Sequence, residues 1–274
     1  MVRIWMPLRP APQATPPGSK VTIMTEAQSV PQPHSDMRAR APQRPFTWPL
    51  AVQAAAYVVL VALACLPGSG AVSSSTFSVT AFAVAAIIVL FAFFCPLRDG
   101  VPGRVTAVVL GFVAMVCAST PLLGQFVFER QGAPHAGAAN AQYTSAAAWC
   151  AGVAGLLVVL VVAAFIRQMV RPQRTDMIVQ LAHMVTDGVV SIAASGWCFL
   201  PMLFHEAGAA DVWRIVCVVV VVAGAVALAV VSRLWYREAQ PLPGVRAAWV
   251  GFGLLPVMLT GALVGIAALV MWLV

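Results

Sequence analysis

Charged residues are scarce in this chain of 274 residues: Lys, Arg, Asp and Glu together make up 9% of it. Soluble globular domains average about 25% charged and about 45–50% apolar residues, whereas 61% of this chain is hydrophobic. This shortage of charge excludes a soluble domain and a disordered regulator. It also leaves no basic face for nucleic acid, although the net charge is +7. The composition predicts an integral membrane protein.

Several residue patterns that carry chemistry are absent as well. The single lysine is Lys20, outside every apolar run, so no helix offers the Schiff-base lysine of a retinal protein. The six cysteines include no CxxC pair, and the four histidines have no metal-ligand spacing. No P-loop, dinucleotide fingerprint or nucleophile–base set is present. The sequence therefore predicts no metal and no cofactor, and it does not favour an enzyme.

Residues 1–46 differ from the rest of the chain in composition. They hold nine of the twenty prolines and eight charges, with Gln, Ser and Thr between them. Such a segment buries too little apolar surface to offset the entropy lost on ordering. We therefore predict a disordered, Pro/Arg-rich cytoplasmic tail. Met24 is an alternative to Met1 as the first residue of the protein.

From Trp48 onward, long apolar runs alternate with short polar breaks. A helix needs about 20 apolar residues to cross about 30 Å of hydrocarbon. The runs are too long and too unbroken for barrel strands, and a helix satisfies its own backbone in lipid. Residues 47–274 are therefore predicted to form an all-α membrane bundle of about seven transmembrane helices, near 48–66, 78–96, 104–123, 146–166, 178–204, 212–232 and 247–274.

The arginines predict the orientation of this bundle. The tail and every second break together carry fourteen positive charges, and the remaining breaks carry two. Positive residues accumulate on the cytoplasmic side of membrane proteins. The N-terminus is therefore predicted to be cytoplasmic and the C-terminus external. Only Arg130 and Arg214 fall in external breaks.

The fifth run carries a polar stripe on one helical face, with residues three or four positions apart. Ionisable groups inside a bilayer are costly and usually mark a proton, ion or substrate path. Alternatively, the span begins near Gly188, and the first residues of the stripe belong to a partly solvated first turn. A second polar pair, Gln53 and Tyr57, lies in the first run and could face the stripe. The stripe consists of Gln180, His183, Asp187, Ser191 and Ser195.

Glycine and proline residues mark two of the spans. The fifth run contains Gly196 and Pro201, and the seventh contains Pro256. Such residues kink or unwind helices, and broken helices form midplane binding sites in transporters. Gly261 and Gly265 form a GxxxG pattern, which predicts close approach of two helices.

Two functions of different classes remain open. The first is a permease for a small solute or an ion, with proton coupling as one version, in which the fifth-span stripe lines the path. The second is a non-catalytic membrane scaffold or assembly partner. Either protein would contact anionic headgroups through its cytoplasmic arginines and would bind another membrane protein or a second copy of itself. Arginine outnumbers lysine fifteen to one, which predicts a bacterial cytoplasmic membrane as the location.

Overall fold

The computed structural model describes residues 46–66, 79–97, 100–119, 141–170, 177–205, 211–238 and 247–273. These residues belong to one compact unit, and every regular element among them is helical. The predicted tail lies outside the described residues except for Phe46. The helices are α1 Thr47–Ala64, α2 Val79–Phe94, α3 Gly100–Ser119, α4 Ala141–Val170, α5 Met177–Ala194, α6 Leu200–His205, α7 Asp211–Glu238 and α8 Ala248–Leu273.

The predicted all-α polytopic bundle is confirmed. Six stretches are long and apolar enough to cross a membrane, and α2 is a shorter apolar helix of 16 residues. The fifth stretch combines three elements, because a 3-10 segment at Ser195–Phe199 joins α5 to α6. Each of the seven apolar runs therefore corresponds to one helical stretch of the structure.

Some boundaries differ from those expected. The third helix begins at Gly100, so Arg104 lies inside α3 and not in the preceding break. Helix α7, which corresponds to the sixth apolar run, continues to Glu238 and includes Arg233 and Arg237. Helix formation does not stop where the apolar run stops, because Arg and Glu are good helix formers outside lipid as well.

The fifth stretch and α8 form the centre of the bundle. In the fifth stretch 83% of the span is buried, and in α8 the share is 61%. The corresponding shares are 22% for α1 and 17% for both α4 and α7. These three helices therefore present most of their surface to the surrounding membrane.

Glycines let the two central helices touch through their backbones. A Cβ added to Gly196 would overlap the carbonyl oxygen of Gly261, and a Cβ added to Gly261 would overlap the carbonyl oxygen of Ala193. At Gly265, an added Cβ would meet the ring of Trp149. The close helix approach predicted from the GxxxG pattern is confirmed. We call the contact of Gly261 with Gly196 and Ala193 the glycine seam.

The first and last helices run in the same direction. Trp48 and Trp249 lie at the N-terminal ends of α1 and α8, and their rings contact each other edge to face at 5.4 Å. A Cβ on Gly253 would also overlap the carbonyl oxygen of Pro49. When a chain crosses a membrane repeatedly, its first and last helices run parallel only if the number of crossings is odd. The parallel arrangement of α1 and α8 therefore agrees with an odd number of membrane crossings.

The orientation itself remains a prediction with a direct test. An alkaline phosphatase fused after Val274 should be active, because the arginine bias places this terminus outside. A green fluorescent protein fused at the same position should stay dark. The opposite pattern in the two fusions would reverse the topology.

Candidate functional site

The polar stripe of the fifth stretch is buried for most of its length. Asp187 and Ser191 are each 1% exposed, and Ser195 is fully buried. Gln180 and His183, nearer the start of α5, are half-buried. Because α5 begins at Met177, Asp187 lies in its third turn. Asp187 is therefore enclosed by protein and not partly solvated, while the position at which α5 enters the membrane stays a prediction.

The two serines of the stripe take part in packing. Ser195 Oγ accepts a hydrogen bond from Trp149 Nε1 at 2.8 Å and donates one to the Ile192 carbonyl at 2.7 Å. Ser191 faces Gly111 of α3, where an added Cβ would lie 3.0 Å from the Ser191 carbonyl oxygen. The bundle is closed at this level of α5.

Two arginines belong to the helices that pack against α5. Arg167, in the last turn of α4, contacts Met184 Sδ through Nη1 at 3.4 Å. Met184 precedes Asp187 by three residues and so shares its face of α5. Arg104 of α3 donates from Nη2 to the Cys95 carbonyl at 3.1 Å. Since α3 and α4 both pack against α5, Asp187 is buried on a helix flanked by cationic neighbours.

A separate cavity of about 430 Å³ lies between α1 and α7. The 3-10 segment, α6 and Thr260 of α8 close its inner side. Residues at its edges, such as Leu50, Val222 and Val226, are exposed, so the cavity opens sideways to the surroundings of the bundle. We call it the α1–α7 cleft. Its walls consist of Leu50, Gln53, Ala54, Tyr57 and Val61 on α1 and of Val218, Val221, Val222, Ala225, Val226 and Ala229 on α7.

The cleft is apolar except at one corner. The Tyr57 and Thr260 hydroxyls are joined by a hydrogen bond of 2.7 Å. Thr260 Oγ1 donates to the Pro256 carbonyl at 2.8 Å, so Tyr57 is the donor between the two hydroxyls. Gln53 lies within hydrogen-bonding reach of Tyr57 and is 4% exposed. These three side chains form the polar corner of the cleft.

Both irregular helical segments contribute to this corner. Pro256 lacks an N–H, which frees a carbonyl one turn earlier in α8. Trp197, in the 3-10 segment, donates from Nε1 to the Val257 carbonyl at 2.8 Å, and its ring lies 5.9 Å from that of Tyr57. The 3-10 segment and the proline turn thus fix the orientation of the polar side chains.

A second cavity of about 310 Å³ continues the cleft toward the N-terminal end of α7. Leu203, Phe204 and Val218 line both cavities. The second cavity ends at Arg214, which is the only charged residue among the described residues that line either cavity. Among the described residues, the two cavities together extend from the uncharged polar corner to Arg214.

The structure separates the predicted site residues into two groups. Gln53 and Tyr57 line the α1–α7 cleft, while the buried part of the stripe faces α3 and Trp149. Tyr57 meets the fifth stretch at Trp197 and not at the stripe. Sequence reasoning missed Thr260 and Trp197 as residues of the cleft and Arg214 as a residue of the second cavity. The position of Thr260 one turn after Pro256 was the available signal for the first of them.

The described part of the chain contains no cluster of side chains of the kind that binds metal ions. Among those residues, no group of three or more His, Cys, Asp or Glu side chains could hold a metal ion.

The fold defines a polytopic α-helical membrane protein with a laterally open, apolar cavity. Comparison of the chain with protein-family models, with curated proteins and with solved structures finds no match.

Proposed function

We propose that the protein is a permease for a lipophilic solute, which enters the α1–α7 cleft directly from the bilayer. The sequence alone favours a small-solute or ion permease. The apolar walls of the cleft support a substrate that partitions into lipid over one that is dissolved in water. The sideways opening of the cleft is the observation that carries this proposal.

The cleft has the properties of a binding site. Its volume of about 430 Å³ falls in the range of about 300–1,000 Å³ typical of ligand pockets. Such pockets combine mostly apolar walls with a few polar groups that fix the ligand's orientation. Gln53, Tyr57 and Thr260 are suited to that role, because they converge on one corner.

The irregular helices support movement at this site. The 3-10 segment and the Pro256 turn both border the cleft. Irregular backbone at this depth is tolerated in membrane proteins where it is buried or lines a cavity, and transporters place substrates at such breaks. Ala225 and Ala229 contribute small side chains to the α7 wall, which leaves space for a ligand.

A second candidate, the membrane scaffold, is favoured by the glycine seam. Close packing along α5 closes the bundle around Ser191 and Ser195, which supports a structural use of the stripe. The same packing argues against an ion path along Asp187 in this conformation. A scaffold predicts a cleft that holds lipid without moving it, and this difference can be measured.

A substitution that fills the cleft should abolish both the binding of a lipophilic probe and the movement of lipid across the bilayer. Ala225→Trp places a large ring in the cavity, whereas Val220→Trp adds the same ring on the opposite, 56% exposed face of α7. We expect A225W to reduce photolabelling by a neutral diazirine-bearing hexadecanol at least about tenfold, since the cavity is the site of contact. The V220W control should label like the wild type.

The movement of lipid across the bilayer is measured on the same variants in liposomes. A nitrobenzoxadiazole-labelled phospholipid in the inner leaflet becomes reducible by dithionite only when it crosses the bilayer. Wild type and V220W should accelerate this crossing, and A225W should not. Photolabelling without accelerated crossing would replace the permease by the scaffold. Equal labelling of A225W and V220W would remove the cleft as a binding site.

A further inference from the structure

The polar corner of the α1–α7 cleft indicates the class of ligand. We infer that the occupant is a lipid alcohol, an apolar molecule that ends in one uncharged hydroxyl group, and that this hydroxyl donates a hydrogen bond to the Gln53 carboxamide oxygen. The inference rests on the proposed use of the cleft as a substrate site and adds the chemistry of the ligand.

The two hydroxyl protons of the corner are already used within the protein. Thr260 Oγ1 donates to the Pro256 carbonyl at 2.8 Å, and Tyr57 donates to Thr260 Oγ1 at 2.7 Å. The Pro256 carbonyl, 3.5 Å from the Tyr57 hydroxyl, is a second acceptor on the same side. Neither hydroxyl therefore has a proton left for a ligand.

Gln53 presents an acceptor at the same place. It lies one turn before Tyr57 on α1 and within hydrogen-bonding reach of the Tyr57 hydroxyl. Because the Tyr57 proton is used, the Gln53 amide nitrogen is the donor between these two groups. This leaves the carboxamide oxygen and one amide N–H, on a side chain that lines the cavity and is 4% exposed. A hydroxyl, which both donates and accepts, can use both groups, whereas an ether or carbonyl oxygen can use only the N–H.

The corner lies deep in the membrane. Trp48 and Trp249 lie side by side at the starts of α1 and α8, and tryptophan favours the headgroup level of a bilayer. Tyr57 follows Trp48 by nine residues and Thr260 follows Trp249 by eleven, which corresponds to about 14 Å and about 16 Å along the helices. Half of a hydrocarbon core of about 30 Å is about 15 Å. The corner is therefore near the middle of the bilayer.

A ligand group held at this depth has to be uncharged. An ionised group that moves from water to an apolar medium loses far more hydration energy than a hydroxyl does. Among the described residues that line the cleft, none carries a charge that would compensate for this loss. A hydroxyl also needs a partner there, and the Gln53 oxygen provides it. The apolar part of the ligand then lies along the α7 wall and leaves the cleft through its side opening.

The test compares probes that differ only in their polar end. Full-length protein in vesicles of dioleoyl-phosphatidylcholine is photolabelled with diazirine-bearing hexadecanol, hexadecyl methyl ether and palmitic acid, at equal probe content of the vesicles. We expect hexadecanol to label the wild type about three- to tenfold more strongly than the ether, or about 0.7–1.4 kcal/mol, the net value of one hydrogen bond. Palmitic acid should label less than hexadecanol, since its carboxylate stays at the interface.

Two variants locate the preference. Gln53→Met removes the acceptor and keeps an unbranched side chain of similar length, and it should label about equally with hexadecanol and the ether. Gln180→Met makes the same change in α5, outside the cavity, and should keep the preference for hexadecanol. The thermal midpoint of each variant shows whether it is folded, and the comparison of probes on the wild type tests the inference without any substitution.

The outcomes separate this inference from the proposed function. Equal labelling of the wild type by hexadecanol and the ether, or a preference that Q53M retains, would overturn the role of the corner, while labelling that A225W abolishes would leave the cleft as a binding site. Stronger labelling by palmitic acid would overturn the alcohol in favour of a charged ligand. Failure of all three probes would overturn the proposed function as well. Crossing of the labelled phospholipid tests movement through the cleft and does not require its headgroup to stop at the corner.

Discussion

Gly261→Ala is expected to destabilise the folded bundle by about 3 kcal/mol or more, the upper range for overpacking in a protein core. The new methyl group would overlap the carbonyl oxygen of Ala193 and lie 2.9 Å from Trp197 Cδ1 and 3.1 Å from Ala194 Cα. Two of these three atoms belong to the backbone, which cannot move aside as the end of a flexible side chain can. The two central helices would have to separate.

Gly155→Ala is the matched control. It makes the same change in α4, where an added Cβ meets nothing within 4 Å. Ala is favoured over Gly in a helix by about 1 kcal/mol, so G155A should equal the wild type or slightly exceed it. The thermal midpoint in detergent, read from tryptophan fluorescence, compares the two variants. Equal midpoints for G261A and G155A would show that the glycine seam does not hold the bundle together.

Asp187→Asn is expected to destabilise the protein by about 1–2 kcal/mol, the order of magnitude for charges that interact across several ångströms of protein. Asp187 is 1% exposed, and a Cβ added to Gly100, at the start of the helix that carries Arg104, would lie 3.6 Å from Arg167 Nη2. The substitution removes the negative charge of Asp187 and leaves the positive charges of Arg104 and Arg167 in place. Labelling of the cleft by the neutral probe should be unchanged in the folded fraction, since Asp187 does not line the cleft.

A double-mutant cycle with Arg167→Gln tests the reason for this expectation. Removal of both charges should cost less than the sum of the two single variants, because each single variant leaves a charge behind. Full additivity would show that Asp187 and Arg167 are not coupled. Unchanged stability of D187N together with loss of lipid movement would instead assign the stripe to the transport path.

The fold was predictable from the sequence because lipid allows few solutions. Each apolar run must satisfy its own backbone, so its length alone predicts a helix. The GxxxG pattern at Gly261 also predicted a close contact correctly, since only small residues permit backbones to meet. The partner helix could not be predicted, because Ala193 and Gly196 resemble many other small residues of the chain.

The site was only partly predictable, and α7 shows why. Its apolar residues surround the helix without a polar stripe, so no periodicity distinguishes the wall of the cleft from the face in lipid. Gln53 and Tyr57 were recognised because polar residues stand out in a transmembrane helix. Arg214 was interpreted as a topology signal alone. Its position at the end of a cavity depends on how α6 and α7 pack, which no local pattern encodes.

The short second helix has a consequence for the surrounding bilayer. Its 16 residues extend only about 24 Å, about 6 Å less than a typical hydrocarbon core. Pro96, two residues after its end, disfavours helical geometry at Cys95 and so limits extension in that direction. Local thinning of the bilayer is one way to match the described part of α2, at a cost of fractions of a kcal/mol per ångström. Thin membranes therefore accommodate this protein at lower energetic cost than thick, sterol-rich ones.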